Sequence, residues 1–197
     1  MLPARLRQTG AMRVYLAGPD VFLPDPLARA AALKAVCARH GLVGVSPLDG
    51  LVGGDPEAWG ELSEAFRIAR RNEAHIAGCD ALIANLTPFR GPSADAGTVF
   101  ELGFMRALER PVFGWSNSAA DFVARSRAFC GAEARDGEGL LLEDFAGLAD
   151  NLMIDGAIAA SGGVLVRLDV AQAEAWRELG AFEAGVEAAA RYFDNIT

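Results

Sequence analysis

The sequence predicts a doubly wound α/β fold, in which helices cover both faces of one parallel sheet within a single domain. Three observations lead to this prediction. The chain has 197 residues, 52% of them hydrophobic, which suits one domain with one core. Short apolar runs alternate with stretches of helical periodicity, as in consecutive βαβ units. Residues 80–85 are apolar on both faces through their middle, which is typical of a buried parallel strand.

The first half of the chain predicts two more strands and two helices. Residues 12–17 form an apolar run that ends in the turn Gly18-Pro19-Asp20, and residues 42–45 predict a shorter second strand. The spacing of apolar residues predicts a helix over 26–40, ended by Gly41. A glycine-containing loop over 47–55 follows. A helix over 57–77 comes next, and its predicted buried face consists of Leu62, Ala65, Phe66, Ala69 and Ile76.

The second half of the chain continues the alternation. A polar loop over 87–94 leads into a helix over 96–109 and a fourth strand over 111–115. Later elements are a largely helical stretch over 141–160, a short fifth strand over 162–168 and a last helix over 171–193, whereas residues 116–139 fit neither pattern. We therefore predict one domain over 12–197, preceded by an N-terminal extension over 1–11.

Composition argues against several classes of protein. The net charge of -8 disfavours nucleic acid as a partner, because binding phosphate backbones requires clustered Lys and Arg. No apolar run has the ~20 residues of a membrane span, and no signal sequence is evident. Cys37, Cys79 and Cys130 are odd in number without paired spacing, which predicts reduced thiols in a cytoplasmic protein. His40 and His75 are too few for a histidine-rich metal site.

Ligands of open α/β sheets bind at the carboxyl ends of the strands, which directs attention to the turn after the first strand. This segment is Tyr15-Leu16-Ala17-Gly18-Pro19-Asp20-Val21-Phe22, in which Gly18 lets the backbone approach a ligand closely. From the residues alone, Tyr15 also fits a packed strand aromatic and Asp20 a residue that caps a turn, so both interpretations stay open here.

Glu101, after the third strand, is the candidate nucleophile. Asp95 suits the N-cap of the helix over 96–109, which puts Glu101 in the second turn near the positive end of that helix. The helix dipole favours an ionised carboxylate, as a nucleophile requires, and the neighbours of Glu101 in sequence are apolar. A surface charge that merely matches the helix dipole is the alternative interpretation.

Four segments occur in an order that resembles a known family: Tyr15-Leu16-Ala17-Gly18-Pro19, Cys79-Asp80-Ala81-Leu82-Ile83-Ala84-Asn85-Leu86, Asp95-Ala96-Gly97-Thr98-Val99-Phe100-Glu101-Leu102-Gly103 and Asp150-Asn151-Leu152-Met153-Ile154. Together they resemble the nucleoside 2-deoxyribosyltransferases over about residues 13–161, and the segment from Asp95 to Glu101 is the most specific. The family has a doubly wound sheet of the Rossmann or flavodoxin-like kind, in agreement with the independent prediction above.

The resemblance implies roles for five residues. Glu101 matches the nucleophile that forms a glycosyl-enzyme ester, and Asp95 matches a second acid that contacts the substrate and helps to handle the base proton. Tyr15 matches a tyrosine that orients the nucleophile through its hydroxyl. Asn151 and Met153 match a pair that a neighbouring subunit lends to the site, which implies a homo-oligomer, a dimer or higher, with shared active sites.

Five further residues are expected to bind substrate. Gly18, Pro19, Asp20 and Phe22 form the turn beside the site. Asn72 occupies a position where the family usually carries an aspartate that faces the base. An amide can form hydrogen bonds with a base but cannot shuttle a proton, so the departure bears on base protonation and base preference.

The implied reaction is transfer of a 2-deoxyribosyl group between bases, with purines favoured, by a retaining double displacement that needs no metal or organic cofactor. The partners would be a small nucleoside and a free base, and the role one in nucleoside salvage. Two alternatives stay open: an N-glycosidase that hydrolyses a nucleoside or its monophosphate, and a non-catalytic nucleotide-binding module. A monophosphate would need donors, which residues 50–54 and Ser93 could supply, but Asp95 would repel it.

Overall fold

Five parallel strands form one sheet in the computed structural model, which describes residues 10–50 and 62–196. The strands are β1 Arg13–Ala17, β2 Val43–Val45, β3 Ala81–Asn85, β4 Val112–Ser116 and β5 Leu165–Arg167. They lie in the order β2-β1-β3-β4-β5, and every neighbouring pair is parallel. This is the strand order of flavodoxin-like doubly wound folds, so the predicted fold class is confirmed.

Three of the described α-helices begin at a residue whose side chain caps them. The described helices are a short 3-10 helix Pro19–Phe22 and the α-helices α1 Pro26–Arg39, α2 Glu64–Ala77, α3 Ala96–Ala107, α4 Phe122–Cys130, α5 Leu152–Ala160 and α6 Gly180–Asp194. The side chains of Asp25, Asp95 and Asn151 cap α1, α3 and α5. Gly41 follows α1 with a φ of 75°, a conformation that ends helices and that glycine adopts most readily.

Side chains that alternate along the strands build a separate apolar layer on each face of the sheet. Val14 and Leu16 of β1 point into the layer that α1 and α6 cover, where the largest buried rings are Phe113, Trp115 and Phe182. Tyr15 and Ala17 point to the opposite face, where they meet side chains of α2, α3 and α5, among them Ile76, Leu102, Met105, Ile154 and Ile158. Tyr15 therefore reaches the layer that contains α3 and Glu101.

Two predicted helices are shorter in the structure than their sequence patterns indicated. The stretch over 141–160 is helical only from Leu152, and that over 171–193 only from Gly180. Asn117 explains the second case, because its side-chain amide donates to the carbonyls of Ala175 and Glu178 and holds that segment in turns. The unassigned residues 116–139 contain α4.

The predicted buried face of the helix over 57–77 is wrong for most of its members. Ala65 and Ala69 are exposed and the Phe66 side chain is 65% exposed, whereas Ile76 is buried as predicted. Only the end of α2, at His75 and Ile76, is buried in the chain. Residues 51–61, which include part of the predicted loop and the predicted helix start, lie outside the described residues, as do 1–9 of the N-terminal extension.

The described residues add three observations, on the cysteines, on metal ligands and on helix hydropathy. Cys37, Cys79 and Cys130 are free thiols, the first two of them buried. Across residues 10–50 and 62–196, no three His, Cys, Asp or Glu side chains are grouped so that they could hold a metal ion. Over the same ranges, no helix combines the length and the apolar character that a membrane crossing requires.

Candidate active site

A cleft of about 360 Å³ opens at the carboxyl edge of the sheet, between the turn after β1, the loop after β2, and the helices α2 and α3. This is the edge at which doubly wound sheets bind ligands. One part of its lining is apolar and another carries charged or polar groups. The lining residues are Gly18, Val21, Phe22, Pro47, Leu48, Ile68, Arg71, Asn72, Asp95, Gly97, Thr98 and Glu101.

The carboxylate of Glu101 is held in place by two donors from different elements. Its Oε1 accepts a hydrogen bond of 2.7 Å from the hydroxyl of Tyr15, which is fully buried in β1. The same oxygen accepts a longer bond of 3.4 Å from Nδ2 of Asn72 on α2. A strand and two helices thus fix the position of one carboxylate oxygen, which is the preorganisation that a reacting group needs.

Burial raises the pKa of Glu101 to about 7. The hydrogen bond from Tyr15 lowers that pKa, the nearby charge of Asp95 raises it, and the Asn72 bond lowers it again. The sequence led us to expect a carboxylate whose ionised form is favoured by the helix dipole, and this expectation is corrected because loss of water contact outweighs the favourable groups. Burial, followed by the charge of Glu101, also raises the pKa of the Tyr15 hydroxyl.

Asp95 stands at the start of α3, as its sequence position predicts. Its Oδ2 accepts hydrogen bonds from the backbone N–H of Thr98 at 2.9 Å and from the Thr98 hydroxyl at 3.1 Å. The cap holds the carboxylate at the mouth of the cleft, less than two helical turns before Glu101. Two acids therefore face one cleft, and the repulsion between them contributes to the raised pKa of Glu101.

The turn after β1 is braced by Asp20. Its carboxylate accepts 2.8 Å hydrogen bonds from Nε of Arg29 and from Nδ2 of Asn85. A Cβ atom at Gly18 would lie 2.6 Å from Asp20 Oδ2 and 2.7 Å from Asn85 Cβ, so only glycine fits beside this brace. Gly18 lines the cleft. Asp20 does not, and its carboxylate is hydrogen-bonded to Arg29 and Asn85.

The other two turn residues differ in exposure. Pro19 is buried and is absent from the cleft lining. Phe22 lines the cleft with a ring that is 58% exposed and stacks on Phe89 at a centroid separation of 5.5 Å. An exposed aromatic ring at a cleft mouth offers a flat apolar surface to a planar ligand.

Asn151 and Met153 lie away from the cleft, at the start of α5. Asn151 caps this helix, since its Oδ1 accepts from the backbone N–H of Met153 at 3.0 Å. The Met153 side chain is 71% exposed and, with Leu152, borders an open groove between α3 and α5. Within one chain these residues do not meet Glu101.

A buried carboxylate joins the loop before α3 to the start of α5. Asp150 is fully buried and accepts hydrogen bonds from the Ser93 hydroxyl at 2.5 Å and from the Ala94 backbone N–H at 2.9 Å. Nη2 of Arg125, on α4, lies 3.6 Å from its Oδ2. The Asp150 side chain therefore connects the segment that leads into Asp95 with the segment that carries Asn151.

Sequence reasoning missed Arg71, Ile68 and Thr98 among the residues that line the cleft. Ile68 could have been found, because it precedes Asn72 by four residues on α2 and so shares its side of that helix, and Arg71 lies three residues after Ile68. Thr98 is one turn before Glu101 on α3 and would follow in the same way.

Comparisons with known proteins identify a family and related folds. The family model described as nucleoside 2-deoxyribosyltransferase matches residues 14–153. A 2-deoxyribosyltransferase structure from Leishmania mexicana is 35% identical and aligns with a TM-score of 0.57 over 73% of this chain and 85% of its own. An uncharacterised protein of Schizosaccharomyces pombe is 32% identical over 181 residues, which cover 83% of this chain and 84% of that protein. A conserved protein from Enterococcus faecalis, 18% identical, shares the fold with a TM-score of 0.52 over 90% of this chain and 98% of its own.

Proposed function

Because the chain belongs to the nucleoside 2-deoxyribosyltransferase family, we propose that it moves a 2-deoxyribosyl group from a nucleoside to a second base through an ester on Glu101. Family membership supports deoxyribosyl transfer or the related cleavage of an N-glycosidic bond. Transfer, with purines as the favoured bases, is the more specific proposal.

The proposed reaction has two displacement steps. The Glu101 carboxylate attacks C1′ as the bond from C1′ to the base nitrogen breaks, and the electron pair of that bond leaves with the base. A second base then attacks C1′ from the vacated side, the ester C–O bond breaks, and the carboxylate is regenerated. Two inversions give net retention, as in retaining glycosidases. Developing positive charge on the sugar is stabilised by the carboxylate in both steps.

The fixed position of the Glu101 carboxylate is the observation that carries this proposal. One oxygen is occupied by the Tyr15 hydroxyl at 2.7 Å, within a cleft that is large enough for a small planar ligand. Tyr15 orients the Glu101 carboxylate by donating a hydrogen bond to one of its oxygens, so it acts as a positioning residue. Asp95 would face the substrate from the start of α3, beside the turn of Gly18 and Phe22.

We further propose that the active species is a homo-oligomer in which Asn151 and Met153 complete the site of a neighbouring subunit. The groove between α3 and α5 supports this proposal, because two of its apolar residues, Met153 at 71% and Leu152 at 41%, are exposed to solvent in one chain. Exposed apolar patches of this kind are typical of protein interfaces. Size-exclusion chromatography with light scattering tests it, and a fully active monomer would refute shared sites.

A base-exchange assay tests the proposed reaction. The purified protein is incubated with 2′-deoxyguanosine and hypoxanthine, and separately with 2′-deoxyguanosine alone, and the products are separated by liquid chromatography. New 2′-deoxyinosine in the first sample supports transfer. Free guanine without 2′-deoxyinosine identifies a hydrolase, and no change in either sample contradicts both activities on these nucleosides.

A substitution of the nucleophile tests the role of Glu101. Glu101→Ala should lower the rate of exchange by at least about a thousandfold, because it removes the carboxylate that forms the ester, and the other acid of the cleft, Asp95, caps α3. Glu138→Ala is a matched control, since Glu138 is exposed and far along the chain from the cleft lining. Retention of more than a tenth of the activity in Glu101→Ala would contradict the assignment.

A further inference from the structure

An arginine in the cleft has no role in the reaction described so far. Arg71 lies on α2 between Ile68 and Asn72 in the cleft lining. Its side chain donates no hydrogen bond to any residue of 10–50 and 62–196, and it forms no ion pair within those ranges. Its Nε atom is nevertheless removed from water. A guanidinium carries only donors, so a buried, unsatisfied Nε–H is costly until something supplies an acceptor.

The neighbouring Arg70 shows the contrast. It follows the ordinary pattern of a helix-surface cation, with a side chain that is 64% exposed and paired with Glu73 at 3.4 Å. Arg71, one residue on, is turned towards the cleft and lies close enough to the Tyr15 hydroxyl that its charge lowers the pKa of that group. Arg71 therefore places a cation with an unsatisfied donor beside the cleft in which the substrate would bind.

The rest of the cleft indicates which acceptor fits. Asp95 and Glu101 both face it, and two carboxylates would repel a phosphate. The remaining lining is largely apolar and suits the faces of a planar ring, with contributions from Val21, Phe22, Pro47, Leu48 and Ile68. A neutral, planar ligand with acceptors on one edge matches both an apolar slot and a donor group.

We propose that Arg71 binds the nucleobase by donating to two acceptors on one edge, O6 and N7 of a 6-oxopurine, and so selects 6-oxopurines over 6-aminopurines. The planar guanidinium fork matches this acceptor pair, which is the pairing by which arginine recognises guanine. Adenine presents N7 beside an amino group, so one donor of Arg71 would face another donor. The inference rests on the proposed function and names its base class.

The same contact has a consequence for the leaving base. When the C1′–N9 bond breaks, the electron pair passes to N9 and the charge spreads over the ring. The guanidinium of Arg71 stabilises this anion by its charge and its hydrogen bonds, and water protonates the base after it leaves. A leaving base stabilised in this way does not require a proton donor at position 72, which accords with the amide of Asn72.

Binding of free bases tests the proposal without requiring turnover. Titration calorimetry with hypoxanthine and with adenine compares the wild-type protein, Arg71→Met and the matched control Arg70→Met. Wild type and Arg70→Met should bind hypoxanthine at least about tenfold more tightly than adenine, and Arg71→Met should bind the two bases about equally. Methionine keeps an unbranched apolar side chain on the helix, and circular dichroism verifies that each variant is folded.

Four results are decisive. Equal affinities in the wild type, or a preference that persists in Arg71→Met, would overturn the assignment. Binding of inorganic phosphate that depends on Arg71, without binding of either base, would overturn it in favour of an anion site. A hypoxanthine preference that depends on Arg71, in a protein that exchanges no bases, would uphold the role of Arg71 and reject the transfer reaction.

Discussion

Replacing Glu101 with glutamine should stabilise the protein, and more so as the pH rises. The pKa of the buried carboxyl is about 7, against 4.5 for a freely exposed glutamate. The folded state therefore holds this proton more tightly than the unfolded state does. Its contribution to stability is fully present below pH 4.5 and is lost as the pH rises through 7.

The magnitude follows from this difference in pKa. At about 1.4 kcal/mol per pH unit, the ionised carboxylate costs the folded state about 3 kcal/mol at roughly pH 8.5, and less than about 1 kcal/mol at roughly pH 5. Glutamine removes the charge but keeps the size of the side chain and an oxygen that accepts from Tyr15. At about 2–4 °C per kcal/mol, Glu101→Gln should melt roughly 6–12 °C above the wild type at the higher pH.

Thermal unfolding followed by circular dichroism at the two pH values measures this effect. Glu138→Gln is the matched control, because it makes the same chemical change at an exposed loop position. A melting difference between Glu101→Gln and wild type that fails to grow from low to high pH would refute a buried carboxyl with a raised pKa.

Three other substitutions have defined outcomes. Tyr15→Phe removes a hydrogen bond that lowers the pKa of Glu101, so the acid limb of kcat/KM, expected near pH 7, should move to higher pH in a rate profile. Gly18→Ala places a methyl group 2.7 Å from Asn85 Cβ, and displacement of the turn should lower kcat/KM by about tenfold or more in steady-state assays. Asp150→Asn replaces a carboxylate oxygen that accepts from Ser93 or Ala94 with an amino group, and it should lower the free energy of unfolding in urea by about 2–4 kcal/mol.

Matched controls separate these effects from general disturbance. Tyr192→Phe removes the hydroxyl of the other tyrosine, and Gly91→Ala adds a methyl group where no atom lies within 4 Å. Asp144→Asn changes a carboxylate that is 88% exposed. A pH profile unmoved by Tyr15→Phe, an unaltered kcat/KM in Gly18→Ala, or an Asp150→Asn variant as stable as Asp144→Asn would each contradict the corresponding prediction.

The parts of the fold that are predictable from sequence are those where local pattern and tertiary packing agree. Residues 80–85 are apolar without interruption, and β3 is buried along its whole length. Asp95 is a residue type that favours the N-cap position, and it caps α3 in the structure. The position of Glu101 on that helix was therefore predictable from sequence. The strand order then brought the two predicted ligand segments together at one edge.

The errors arise where a distant contact decides the local structure. Nothing near residue 171 reveals that Asn117 holds the following segment in turns. Phe66 has the spacing of a core residue and is 65% exposed in this chain, since only the last turn of α2 is buried. The pKa of Glu101 was misjudged for the same reason, because burial depends on the whole cleft and the dipole of α3 only on its own helix.

The buried carboxylate of Asp150 limits how this protein can be re-engineered. It ties Ser93 and Ala94 to a helix start some 56 residues further on, so the two stretches form one mechanical unit. A loop taken from a relative with another base preference and grafted in place of residues 87–94 would arrive without its counterpart at 150–151. Successful grafts should therefore need both stretches exchanged together, and libraries that vary either one alone should yield mostly unstable proteins.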